Sequence, residues 1–195
     1  MKTLFSLLLL SISLAVAAGS SASLPVFTDD GRLQPPVDYR EWVFLSSGVD
    51  MSYNEAERER ETPVYDNVFA APAAYRAFVE TGHWPEQTML VLEIRDGQKK
   101  GSINHRGSFQ SPNRLAVEVH VKDTKRFPDT GWAFFSIDGD GPAAQIPSSQ
   151  DCYSCHREHA AVDTTFVQFY PTLLPIAEQR GTFSAAYRAA SGAKK

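Results

Sequence analysis

The residues of this 195-residue chain best placed to do chemistry together are Cys152, Cys155 and His156, in the run Cys152-Tyr153-Ser154-Cys155-His156. These are the only two cysteines in the chain. A disulfide between them would close a loop so small that it would restrain little of the unfolded chain, so stapling does not explain the pair. Two thiols at this spacing can add to the two vinyl groups of one porphyrin. The histidine that follows is then carried under the ring, where its imidazole reaches the iron. The motif therefore predicts one covalently attached haem c per chain, with Cys152 and Cys155 as thioether attachments and His156 as axial ligand. Two other chemistries use the same residue types. A redox dithiol is expected early, between a strand and a helix, whereas this motif lies late and follows Pro147-Ser148-Ser149-Gln150-Asp151. A zinc half-site needs two further ligands, and His159 is near but no second cysteine pair exists.

The chemistry of a haem site is decided by its sixth position. Without its first residues the chain has only Met51 and Met89, both upstream of the motif, where an electron-carrying cytochrome would commonly place a methionine beyond it. His83 and His105 sit beside turn residues, and His120 shares the polar face of a strand pattern with Glu118 and Lys122, so all three read as exposed. His159 reads as exposed too. An open distal position follows, with Trp132, Phe134 and Phe135 as candidates for its wall, although plain core packing explains any one of them. An apolar wall would favour a neutral diatomic such as nitric oxide, whereas a carboxylate would support proton transfer and oxidation. The alternative is a six-coordinate electron-transfer cytochrome c.

The elements that must position these residues are mostly strands. Residues 114–122 alternate, with Leu115, Val117, Val119 and Val121 facing one way and Ala116, Glu118, His120 and Lys122 the other, a half-buried strand. Residues 88–94 repeat the pattern with Leu90, Leu92 and Ile94. Residues 132–137 are apolar on both faces, which suits a central strand or one whose second face lines a pocket or a subunit contact. Weaker strands are expected at 42–45 and 64–69, and a helical turn at 38–42. One helix is well signalled, from Pro72 to Gly82, with Tyr75, Phe78 and Val79 forming its buried face. The charged run 54–61 reads as a solvated helix or loop. Turns are expected at Arg95-Asp96-Gly97 and from Asp138 to Pro142. The fold class is α+β, rich in strands.

The chain opens with Met1-Lys2, an apolar run over 4–16 and small residues at 15–19, the order of a secretory signal. Residues 1–22 are assigned to that signal, 23–34 to a polar lead-in, 35–180 to one haem domain and 181–195 to a C-terminal tail. Export to the periplasm or beyond is expected. Once Lys2 is lost, 18 basic residues face 23 acidic ones, a net charge of −5, in place of −4 for the whole chain. With no basic clustering, nucleic acid is excluded as a partner, and a small ligand or a redox partner protein fits better.

The haem motif and its surroundings resemble the cytochrome P-460 and cytochrome c′-beta family. The resemblance is carried by Asp38-Tyr39-Arg40-Glu41-Trp42, by Pro72 and Tyr75-Arg76-Ala77-Phe78 with Glu80-Thr81-Gly82, and by Trp84-Pro85. It continues in the run from Lys122 to Trp132, the haem motif, and Phe166 to Pro171. It spans about residues 35–175, and implies a mainly antiparallel sheet with flanking helices, a homodimer and one pentacoordinate haem c. Members of the P-460 type oxidise hydroxylamine and carry a lysine cross-linked to the porphyrin; c′-beta members lack that bond and bind nitric oxide in an apolar pocket. Leu92 stands where the cross-linking lysine is expected, and the nearest lysines are Lys99 and Lys100. The distal carboxylate that active members hold shortly before the motif is missing from 143–150, leaving only Asp151. The resemblance therefore implies binding or transformation of a small nitrogen compound, with nitric oxide binding favoured over a haem oxidoreductase acting on hydroxylamine or nitric oxide.

Overall fold

A computed structural model describes residues 23–52, 60–101 and 103–192. The predicted leader and residues 54–59 of the charged run lie outside the described residues. Five strands form one antiparallel sheet in sequence order: β1 (Val43–Val49), β2 (Val64–Ala70), β3 (Met89–Gly101), β4 (Asn104–Lys122) and β5 (Trp132–Ser136). The chain is thus α+β with a mainly antiparallel sheet, and a 3-10 turn occupies Tyr39–Glu41 where a helical turn is expected.

Helix α1 (Pro72–Thr81) has the boundaries that its residues dictate. Pro72 enters at the first turn, where a missing N–H costs nothing. Gly82, at φ 77°, takes the left-handed position that ends the helix, its N–H reaching the Phe78 carbonyl at 2.7 Å. Three further helices follow the sheet: α2 (Asp151–His159), α3 (Leu174–Arg180) and α4 (Ala185–Ser191).

The segment Arg95-Asp96-Gly97 is not a turn. It lies within β3, paired across a register irregularity with β4, and the hairpin reverses only past Gly101. Gly97 serves a close approach instead: a Cβ there would lie 2.5 Å from the Pro63 carbonyl oxygen. Strand β5 is an edge strand rather than a central one, and its free side is covered by the 143–146 segment, where Phe135 bridges Gln145 and Ile146 N–H bonds the Phe134 carbonyl at 2.8 Å.

Strict alternation divides the sheet into two faces. Phe69, Val91, Val119 and Phe135 lie in register on the first. The N-terminal segment covers it: Leu33 is fully buried, Phe27 packs on Phe127 and Phe135, and Tyr39 packs on Phe69. The lead-in is therefore part of the packed body. So is the segment after 180, where Phe183 is buried, Ser184 N–H bonds the Ala161 carbonyl at 2.7 Å and Ser184 Oγ caps α4 through Tyr187 N–H. Among the described residues no helix is long and apolar enough to cross a membrane.

Candidate functional site

The second face of the sheet carries the chemistry. Ser46 and Gly48 of β1, Asp66 and Val68 of β2, Leu90 and Leu92 of β3, Glu118 and His120 of β4 and Phe134 of β5 occupy alternate positions in register. Together with Met51, His156, Thr165, Phe166, Phe169 and Tyr170 they line a cavity holding about 900 Å³ of empty space, solvent-open mouth included. The two sides come from distant stretches of sequence, the sheet from the first two thirds and the opposing wall from the segment beginning with α2.

Helix α2 is the motif itself. Asp151 in its first turn and Arg157 in its last complement the helix dipole. Cys152 and Cys155, one turn apart, share a side of it, both half-buried and unbridged. Burial pushes both thiols above their ordinary range, so they are neutral thiols and not the low-pKa thiolates of a redox dithiol. Tyr153, between them, points into the body, its hydroxyl donating to the Ile146 carbonyl at 3.0 Å while its ring meets Phe134.

The imidazole of His156 is fixed by one hydrogen bond. Its Nδ1 stands 2.7 Å from the Thr164 carbonyl oxygen. A carbonyl can only accept, so Nδ1 carries the proton and Nε2 keeps its lone pair free for a metal. Burial lowers the His156 pKa, which keeps the ring neutral, although the Thr164 carbonyl works in the opposite direction. The ring sits among Phe166 at 4.3 Å, Phe134 at 4.6 Å and His120 at 5.1 Å between centroids. Two thiols on one helix, an adjacent imidazole with its coordinating nitrogen bare, and an apolar cavity beside it fit a haem. The residues that would hold it are Cys152, Cys155 and His156. No cluster of three or more His, Cys, Asp or Glu side chains among the described residues could hold a metal ion by itself.

His120 overturns its expected exposure. It is 7 % exposed, stacks on Phe134 at 4.0 Å, meets the Trp132 ring at a tilt with centroids 4.4 Å apart, and its Nε2 is buried without a partner among the described residues. Burial, reinforced by the neighbouring His156, holds its pKa well below the ordinary histidine value. Alternation correctly gave it a face shared with Glu118; β4 has a neighbour on each side, and the face called polar is the cavity wall. His120 stands edge to face beside His156, with ring centroids 5.1 Å apart. His83, His105 and His159 are exposed as expected.

Of the three aromatic candidates only Phe134 lines the cavity. Trp132 backs it, tilted against the His120 ring, while Phe135 turns to the other face and packs on Phe27 and Phe127. Leu92 lines the cavity. Lys99 does not; its Nζ donates to the Glu61 carbonyl at 2.7 Å. Met51 is at the cavity, whereas Met89 is buried on the opposite face, paired with Val121.

Two carboxylates that sequence reasoning passed over also line the cavity. Burial raises the pKa of Glu118, and burial together with the Glu118 charge pushes Asp66 up to about 6. The missed signal was an acid and a histidine two residues apart on the second face of a strand flanked on both sides.

Residues 36–167 match the family model described as Cytochrome P460, which spans the sheet, α1 and the whole of α2. No curated protein matches the chain.

Proposed function

Since the chain belongs to the cytochrome P460 family, a family of haem proteins, we propose that it carries one haem c bound covalently through Cys152 and Cys155, with His156 as axial ligand and the sheet-lined cavity as the site for a small nitrogen compound. The observation that carries this reading is the Nδ1 hydrogen bond of His156 to Thr164, which leaves Nε2 as the free donor beside the cavity. When bound, the haem iron supplies a coordination position and a one-electron couple. The chain's own residues supply selection. Val68, Leu90, Leu92, Phe134 and Phe166 present hydrocarbon and exclude water, which favours a neutral diatomic, nitric oxide, over charged competitors.

Asp66 and Glu118 favour a second reading, oxidation of hydroxylamine. Burial raises both carboxyls, Asp66 to about 6, so that Asp66 changes protonation close to neutral pH, where it can accept a proton from an N–H or O–H ligand. The protein is proposed to be exported after removal of 1–22, to act as a homodimer and to exchange electrons with a redox partner protein.

Intact mass of the mature protein reads the added haem and the cleavage point together. Ferric and ferrous absorption spectra then test the open position. Five-coordinate ferrous iron that binds nitric oxide is expected. Low-spin six-coordinate spectra in both states, abolished by Met51→Leu, would replace this reading with an electron carrier. Turnover of hydroxylamine that falls in Asp66→Asn or Glu118→Gln would select the second reading.

A further inference from the structure

The carbonyl that holds His156 belongs to a loop that would not keep its shape unaided. Asp163, at φ 48°, and Thr164, at φ 60°, are consecutive non-glycine residues in the left-handed region. A β-branched side chain rarely adopts that conformation. Thr164 also has a buried hydroxyl without a partner among the described residues. Such a conformation persists only where the surroundings impose it.

The surroundings here are specific. Asp163 Oδ2 accepts the Trp84 backbone N–H at 3.2 Å and lies 3.3 Å from Lys122 Nζ. Lys122 Nζ also donates to the Trp84 carbonyl at 2.7 Å, so the lysine and the aspartate grip the same residue from its two backbone groups. The His83 imidazole is 3.5 Å from the same carboxylate oxygen. On the far side of the loop the Trp84 indole N–H donates to Thr165 Oγ1 at 2.8 Å, and Thr165 Oγ1 donates to the Val162 carbonyl at 2.6 Å. The loop is pinned at both shoulders, and the peptide between them presents the Thr164 carbonyl to His156.

We propose that Asp163, gripped by Lys122 and the Trp84 backbone, is a positioning residue for the axial histidine: it holds the 162–165 loop left-handed so that the Thr164 carbonyl stays on His156 Nδ1. The proposal rests on the haem reading above. A firm acceptor on Nδ1 makes the imidazole a stronger donor toward iron, which stabilises the ferric state. Losing the tether weakens the donor without touching Cys152, Cys155 or His156.

The test uses holoprotein and two readouts, the iron–histidine stretching band of the ferrous form by resonance Raman and the reduction potential. Asp163→Gly accepts a φ of 48° freely and removes only the tether. It is expected to move the band to lower frequency and to lower the ferric-to-ferrous ratio at a fixed poise about tenfold, equivalent to 59 mV for a one-electron couple. Asp163→Asn keeps an acceptor and tolerates the left-handed region, so it should restore the wild-type band. Lys122→Met should shift the band in the same direction as Asp163→Gly, by less, and it decides the matter if Asp163→Gly yields no holoprotein. A wild-type band in the deciding variant overturns the proposal. So does a potential that moves equally in the Gly and Asn variants with the band unmoved, because that reports lost charge alone. Wild-type protein lacking haem by intact mass overturns the haem reading and this proposal with it, and the mass by itself identifies that failure.

Discussion

The two faces of the sheet each bury carboxylate, and they treat it in opposite ways. On the face covered by the N-terminal segment, Glu93 is 3 % exposed and fully engaged: the Tyr39 hydroxyl and the Arg40 guanidinium donate to Oε2, and Arg95 Nε lies 2.5 Å from Oε1. Burial alone would raise its pKa, but Arg95, Tyr39 and Arg40 more than offset it and hold the carboxyl below the ordinary range. Asn67 and Gln110 exchange amide hydrogen bonds nearby, at 2.7 and 2.9 Å. On the cavity face Asp66 and Glu118 are raised instead, and His120 keeps a buried nitrogen unsatisfied. A satisfied polar cluster stabilises and specifies a fold. Groups left wanting a partner are kept where something else is to bind.

The contrast can be broken most completely at the motif. Replacing Cys152 and Cys155 with Ala is expected to abolish covalent haem, read by intact mass and by extraction of haem from denatured protein. Covalent haem surviving in the double variant would sink the assignment of the cavity face. On the opposite face, Glu93→Ala strands Arg95 and Arg40 and should cost about 3 kcal/mol in urea unfolding, with the haem absorption spectrum unchanged. Disturbance of that spectrum would show that the two faces are not independent.

The acid pair gives a smaller and oppositely signed effect. Asp66 rises from 3.8 unfolded to about 6 folded, so the folded state binds the extra proton between those values and stability is lost as pH climbs through that window. Asp66→Asn should therefore gain about 1 kcal/mol at pH 7, after discounting for its partial exposure, and nothing at pH 3. Glu93, lowered in the folded state, contributes stability that is present at neutral pH and lost as pH falls through its folded value. Glu93→Gln should flatten the acid limb of a stability–pH curve that Asp66→Asn leaves intact there. An effect similar in size to that of Asp66→Asn and opposite in sign is expected of Trp84→Phe, which loses the 2.8 Å indole bond to Thr165 and should cost about 1 kcal/mol.

Much of the fold was legible because its signals are local. Pro72 and Gly82 bound α1 through the geometry of a helix start and stop, and the alternation of 114–122 assigns every residue of that strand to a side. Alternation says which residues share a face and not what covers it, so His120 and Glu118 read as solvated when β5 and the segment after α2 enclose them. Arg95-Asp96-Gly97 has the composition of a turn, yet the demand that Gly97 meets is steric, imposed by Pro63 just before β2. The short helices α3 and α4 have too few residues for a helical period to declare itself.

What the sequence by itself determined is the set of reactive groups at the motif. The spacing of two thiols and a histidine is fixed within a few consecutive residues, and the spread of strand signals sets the class of scaffold around it. The tertiary structure decided everything that depends on residues distant in sequence. It placed Asp66, Leu92, Glu118 and Phe134 from four strands on one cavity wall. It folded Thr164 back onto His156 and thereby selected the free nitrogen. It also anchored that loop on Trp84 and Lys122, about 80 and 40 residues upstream, because the pairing of β3 with β4 is what brings those two residues to the same end of the sheet.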